Sequence, residues 1–216
     1  TNEFTASSVT DMHDVSVVAN AYKEFIVGHN TSTVTIGGFL DPTATSNLQA
    51  DQLADQVGAA GEAWTIGPSG LAIGDRVWMP NANQAQLTHM VSTTSPVKFG
   101  LNLQTDGITD LGVSLHDHAE ETITGSYASV DNAASSAGGG VGHLHVTAYS
   151  GFTSLSFLVQ DSTNDSTFNT IVTFASVTAI TSERLAVSGT VNRYLRGRMV
   201  VTGTGSVTFN ISFARR

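Results

Sequence analysis

The stretch Asp11–Ala44, DMHDVSVVANAYKEFIVGHNTSTVTIGGFLDPTA, decides the fold. Val, Ile, Thr and Phe dominate it, and such side chains suit a pleated, half-buried surface. Polar residues interrupt it around Ala19–Asn30. The strand that follows, built on Thr33-Val34-Thr35-Ile36, stops at Asp41-Pro42, because proline cannot donate to a sheet ladder. The stretch therefore reads as two strands with a loop between them.

The rest of the chain agrees with a β-rich fold. Its 216 residues suffice for one large or two small domains. Hydrophobic residues make up 40% and charged residues only 12%, about half the usual charged share. Ser, Thr, Gly, Ala and Val fill the difference, which favours short strands and tight turns over long surface helices. The absence of cysteine excludes disulfides and thiolate metal sites. No apolar run reaches the length of a membrane span. The opening TNEFTASSVTD lacks the basic start and apolar run of a secretory signal.

Charge is uneven. Residues 1–118 carry twelve Asp and Glu against three Lys and Arg, which accounts for the whole net charge of −9. Residues 119–216 carry six of each sign. An acidic surface repels nucleic-acid backbones, which bind through Lys and Arg.

One helix is predicted, over 46–61. Ser46 or Asn47 caps it, and Ala50, Leu53, Ala54 and Val57 form an apolar stripe at i, i+3, i+4 and i+7. Strands are predicted at Arg76–Met79, Leu87–Val91, Val97–Leu103 and Gly112–His116. The segment 119–142, AEETITGSYASVDNAASSAGGGVG, has little to bury and reads as a linker. Six strands then follow in 143–216, with alternation at Leu155, Phe157 and Val159 and at Val207, Phe209, Ile211 and Phe213. Short strands of period two without a helix predict an antiparallel sandwich. The domains are thus expected at 1–118 and 143–216.

Catalytic and cofactor chemistry finds few residues to stand on. His116-Asp117-His118 and His143-Leu144-His145 each place two imidazoles on one strand face, but no further ligand pattern joins them, and solvated or pore-facing histidine is the plainer reading. Asp161–Asp165 lacks the spacing and the terminal Glu of a calcium loop and reads as a hairpin turn. The Gly138–Gly142 run neither follows a strand nor opens a helix, and neither lysine follows a Gly-rich loop. No Gly-x-Ser-x-Gly is present. No catalytic residue, metal or cofactor is predicted, so the chain is read as a non-enzyme. Arg193, Arg196, Arg198, Arg215 and Arg216 read as a solvated face or as ion pairs to a neighbouring subunit.

The order Asp14-Val15, Phe25-Ile26-Val27-Gly28, Thr33–Ile36, Gly38-Phe39-Leu40-Asp41 resembles the first hairpin of the tail tube (major tail) proteins of long-tailed bacteriophages. In that family an Asp-Val start leads to a loop, a Phe-Ile-x-Gly turn and a Thr-rich strand ending in Gly-x-x-Asp. Leu87–Gly107 and Gly112–His116 are similar to its later strands, and Asn2–Val9 falls where its first strand is expected. The resemblance implies a mainly β tail-tube-type sandwich or barrel with one flanking helix, plus the C-terminal sandwich. It implies a structural virion protein, assembled in the bacterial host cytoplasm, whose hexameric rings stack with other tail proteins into a tube that conducts viral DNA without specific binding. The C-terminal domain then lies outside the tube, where host-surface or glycan adhesion and tube stabilisation are the open roles.

Three site expectations follow. Self-association is expected at the sheet edges near 33–40 and 97–104, which carry few charges to block it. The loop 19–30, through Tyr22, Lys23, Glu24, Phe25 and Ile26, is expected to contact the next ring. Asp106, Asp110 and Asp117 are expected to face an acidic lumen, and residues 122–216 to be dispensable for the tube. Two other classes stay open: a carbohydrate-binding module, with Trp64, Trp78, Tyr127 and Tyr149 as stacking platforms, and a capsid decoration protein.

Overall fold

The computed structural model describes residues 3–14, 25–39, 57–58, 61–90, 97–107 and 109–216. The described residues are strands and turns. In chain order the strands are β1 (Glu3–Asp14), β2 (Phe25–Phe39), β3 (Glu62–Ala63), β4 (Arg76–Met79), β5 (Asn81–Met90) and β6 (Lys98–Thr105). They continue as β7 (Asp110–Ser114), β8 (Glu120–Glu121), β9 (Gly125–Ser126), β10 (Val130–Asp131) and β11 (Gly140–Ser150). The last five are β12 (Ser154–Ser162), β13 (Asn169–Thr173), β14 (Thr181–Val187), β15 (Tyr194–Thr202) and β16 (Ser206–Arg215). Two compact units result, Thr1–Glu62 with Pro80–Thr109, and Ala63–Met79 with Asp110–Arg216.

The first unit is one sheet of order β1-β2-β6-β5-β3. Its longer strands are antiparallel: Thr5 opposes Thr35, Thr35 opposes Asn102, and Asn102 opposes Gln86. Period-two alternation makes one face apolar, with Val34, Ile36, Leu101, Leu103 and Ala82 buried.

The second unit is a sandwich. One sheet runs β14-β11-β16-β7-β4, with β8 beside β16; the other runs β10-β15-β12-β13, with β9 beside β15. The predicted alternation supplies the core. Leu144, Val146, Phe209, Ile211 and Phe213 come from the first sheet and Leu155, Phe157, Val159, Leu195 and Met199 from the second. Each such side chain contributes about 1.5–3 kcal/mol on full burial. Val113 and Leu115 join the same cluster.

Four expectations change. The helix over 46–61 falls mostly outside the described residues; at its end Val57 makes a parallel bridge to Gln84 and Gly58 a positive-φ turn, so the predicted stripe does not continue as helix there. The segment 119–142 is no linker: β8, β9 and β10 pair with β16 and β15, and Tyr127 and Val130 pack against the core. The domain boundary lies at Thr109/Asp110, with 63–79 contributed from the first half. A chain ending near Ala119 would strip β7 of its partner β16 and expose Val113 and Leu115, so 122–216 cannot be removed without cutting through a sandwich. Finally, Phe25–Asn30 belongs to β2 and not to a loop or turn, since Phe25 pairs with Asp14 and Ile26 with His13.

Candidate assembly surface

The first unit's sheet has a second face, opposite its apolar one. Thr5 and Ser7 of β1, Thr33 and Thr35 of β2, Asn102 and Gln104 of β6 and Gln86 of β5 stand there at alternate positions. They form a cross-strand ladder. Thr35 Oγ1 donates to Asn102 Oδ1 (2.9 Å), and Asn102 Nδ2 donates to Gln86 Oε1 (3.0 Å). Phe4–Val9, Thr31–Phe39, Asn81–Met90 and Lys98–Thr105 hold no Asp or Glu, and their ionisable residues are His89 and Lys98. Along these stretches the face is thus free of carboxylates and rich in hydroxyl and amide groups, with Lys98 at one end.

The strands expected at the edges are interior. β2 lies between β1 and β6, and β6 between β2 and β5. The edge belongs to β1, twelve residues long and paired on one side only. Its ladder breaks at a bulge between Thr10 and Met12. Phe4–Val9 carries no charge and no proline, the usual devices that block edge pairing. At the end of the sheet where β2 stops, Phe39, Lys98 and Met90 form one cross-strand row. Phe39 and Met90 are exposed, and Lys98 Nζ lies 5.5 Å from the Phe39 ring centroid.

The predicted site residues are scattered. Tyr22, Lys23 and Glu24 lie outside the described residues; Phe25 and Ile26 open β2. Asp106 is exposed in the turn after β6, and Asp117 is exposed in the second unit. Asp110 is no free acid. It is buried, and it accepts from Arg184 Nη2 (3.2 Å) and from Arg216 Nε (2.9 Å) and Nη2 (2.8 Å). None of the three acids lies on the strands of the polar face.

The histidine pairs are largely interior rather than solvated. His116 is buried, stacked on Phe209 at 3.8 Å, with Nδ1 2.9 Å from the Phe209 carbonyl oxygen and Nε2 3.4 Å from Glu121 Oε1. His143 and His145 do share a side. Thr65 Oγ1 lies 3.4 Å from His143 Nδ1 and 2.9 Å from His145 Nε2. Burial, then the charge of His145, pushes His143 down to about 3. Burial, then the charge of His118, pushes His145 down to about 4. Both are neutral at physiological pH. No group of three or more His, Asp or Glu among the described residues is arranged to hold a metal.

The arginines mostly serve their own chain rather than a neighbour. Arg193 makes a bidentate pair with Asp131 at 2.6 Å, which holds the carboxylate down at about 2. Arg215 donates to the carbonyls of Ala134, Val191 and Asn192. The aromatic platforms fare similarly. Tyr127 packs its ring edge on His116 at 4.3 Å and buries its hydroxyl, while Tyr149 donates to the Phe152 carbonyl. Trp64 and Trp78 are half-buried.

The polar face was missed in the sequence because charge was counted and uncharged polar alternation was not. The signal was present in Thr31-x-Thr33-x-Thr35 and in Asn102-x-Gln104.

No family model matches the chain, and no curated protein matches it. Among solved structures, the chain is similar to a protein of the virion of the native gene transfer agent particle at 11% identity and TM-score 0.40, covering 51% of this chain and 82% of that one. A protein of the tail of the empty particle, refined with C6 symmetry, gives 11% identity and TM-score 0.39 over 50% of this chain and 78% of that one. The SPP1 Dit protein, a hub of the adsorption apparatus in phages infecting Gram-positive hosts, gives 11% and 0.34 over 97% and 91%. Likeness at this level carries no weight by itself.

Proposed function

We propose that the chain is a structural virion protein whose copies join, edge to edge, into rings that stack as a phage-type tail tube. The observation that carries this reading is the first unit's sheet: an edge strand whose Phe4–Val9 stretch carries no blocking charge, beside a face rich in uncharged hydroxyl and amide groups. A free row of N–H and C=O groups is a template for another strand. Pairing β1 of one copy with the opposite edge of the sheet in the next, along the part of β5 that the two-residue β3 leaves open, repeats around a ring and closes it. The polar face then lines the bore. Rings of six and the passage of viral DNA follow from the resemblance of residues 11–44 and 87–107 to tail tube proteins. Stacking contacts fall to Tyr22, Lys23, Glu24, Phe25 and Ile26, the last two of which open β2, and to the exposed Phe39 and Met90 at the other end of the sheet.

The test is assembly. Negative-stain images and size-exclusion of the purified protein should show rings or tubes. Ser7→Lys, which adds an edge charge, should shift the population to monomer while the tryptophan fluorescence of the second unit stays unchanged. A wild-type protein that is monomeric at every concentration, or a Ser7→Lys variant that assembles normally, defeats the reading. A monomer that binds neutral sugars would favour the carbohydrate-module alternative, which Tyr127 and Tyr149 already weaken by facing inward. Trimers on capsids would favour the decoration protein.

A further inference from the structure

The six arginines between Arg184 and Arg216 divide into two groups. Arg184 and Arg216 are held by Asp110, Arg193 by Asp131, and Arg215 by main-chain carbonyls. Arg196 and Arg198 have no carboxylate or main-chain carbonyl partner among the described residues. Both lie on β15, where Leu195, Gly197 and Met199 point into the core. Alternation therefore puts both guanidinium groups on the opposite face. Their Cα atoms are roughly 7 Å apart at two residues' strand rise.

Arg196 is already oriented. Its guanidinium carbon lies 3.8 Å from the Phe168 ring centroid, and its Nε donates to Gln160 Oε1 at 2.9 Å. Gln160 is itself fixed, its Nε2 donating to Thr170 Oγ1 at 3.3 Å. The two terminal nitrogens of Arg196 make no hydrogen bond among the described residues. Arg198 stands opposite Leu158 on one side and Ser126 on the other, half-buried. Burial first, and the Arg198 charge second, pull Arg196 below the usual guanidinium value. Asp165, the nearby carboxylate, opposes them with a smaller effect and accepts from Ser129 Oγ.

Two like charges side by side, one of them stacked in place, leave an unneutralised field on an otherwise paired surface. A guanidinium held flat presents a planar fork that matches carboxylate or phosphate oxygens, and it loses little freedom when it binds. We propose that the outer face of β15 binds an anionic polysaccharide, carboxylate- or phosphate-substituted, through Arg196 and Arg198, with Gln160 and Phe168 as positioning residues. Alternation sets the two guanidinium groups side by side along one strand, roughly 7 Å apart at the Cα atoms, a spacing that suits a chain bearing repeated anions. Exposed Asp131 and Asp165 on the same unit disfavour a long duplex polyanion. This inference does not depend on tube assembly.

The experiment is calorimetric titration of the full chain at about 50 mM salt, where charge contacts are weakly screened. One arm uses hyaluronate oligosaccharide as the carboxylate probe, and the other a glycerol-phosphate oligomer. Binding in either arm supports the site and identifies which oxyanion it takes. Arg196→Gln and Arg198→Gln should each weaken binding about tenfold or more, the usual reach of a charged hydrogen bond. Arg76→Gln, which removes the same charge from another sheet, should leave affinity within about twofold. Phe168→Leu should weaken binding through Arg196 and leave the unfolding midpoint nearly unchanged. Absence of binding in both arms, equal loss in Arg76→Gln, or tighter binding of a 20-base-pair DNA (on the order of two helical turns) overturns the proposal. Self-association that disappears in Arg198→Gln would also overturn it, by giving the face to a second copy.

Discussion

Acidification should destabilise the second unit, and His143 should account for a defined share. The side chain is fully buried on β11, and its Nε2 has no partner among the described residues. Burial and the neighbouring charges of His145 and Arg184 depress its folded pKa from 6.5 to about 3, against a smaller opposing bond from the Trp64 backbone. In the native state the ring is therefore neutral at pH 5, while in the unfolded chain it is protonated. The stabilisation is complete above the unfolded value and is lost as pH falls toward the folded one. Between pH 7 and pH 5 the loss is about 2 kcal/mol, from about 1.5 units at about 1.4 kcal/mol each. This figure needs only a folded pKa below 5. His145 acts in the same direction. Both tryptophans, Trp64 and Trp78, lie in the second unit, so their fluorescence reports its urea unfolding. At a slope of about 2 kcal/mol per molar, His143→Gln should shrink the acid-induced shift in midpoint by about 1 M relative to wild type. Equal shifts in the two proteins would refute the reasoning.

Three further outcomes are expected. Asp110→Asn leaves Arg184 and Arg216 without their shared carboxylate and should cost about 3 kcal/mol, read as a lower urea midpoint by the same fluorescence. Gly112→Ala places a Cβ 2.5 Å from the Phe213 carbonyl oxygen and 2.6 Å from Met79 Sδ; overpacking there should cost about 2 kcal/mol, and an unchanged melting temperature would show that β7 can shift. Asn102→Ala removes both rungs of the Thr35–Asn102–Gln86 ladder. A loss of about 1 kcal/mol should appear as faster amide exchange in β2 and β6, with the second unit's exchange unaffected.

Strands were legible in the sequence where one face is buried. Phe157 and Phe209 sit mid-strand in clean alternation, and both are core residues. What was not legible was set by partners far along the chain. Residues 119–142 have too few and too widely spaced apolar residues to announce a strand, yet β8, β9 and β10 form because β15 and β16 offer them hydrogen-bonding edges. Residues 63–79 and 110–114 looked continuous with the first half. They belong to the second unit because β7 pairs with β16, a hundred positions downstream. Local pattern predicts a strand but does not say which neighbour it takes. The same limit governed the site. Asp110 looked like a free acid, and its two arginines lie in the last thirty-three residues.

Charge counting, too, fails to locate charge. The excess acid of residues 1–118 pointed to an acidic bore, but the stretches Phe4–Val9, Thr31–Phe39, Asn81–Met90 and Lys98–Thr105 hold none of it, and on the strands of the polar face it is confined to Glu3, Asp11 and Asp14 of β1. Asp75 closes a turn by accepting from the Ala72 amide, Asp110 is spent on two arginines, and Asp106 sits in the turn beyond β6. In the proposed tube this changes how DNA is kept moving. Like-charge repulsion is less needed where the described strands of the wall offer phosphate one cation per copy, Lys98 at the end of β6, over the Phe39 ring. Retention requires Lys or Arg, whose contacts release counterions and gain affinity. Hydroxyl and amide groups that already bond to one another, as Thr35, Asn102 and Gln86 do, have little left to offer a passing phosphate. The ladder that stiffens the sheet is therefore also what leaves its surface inert, and both properties come from the same alternation of uncharged polar side chains.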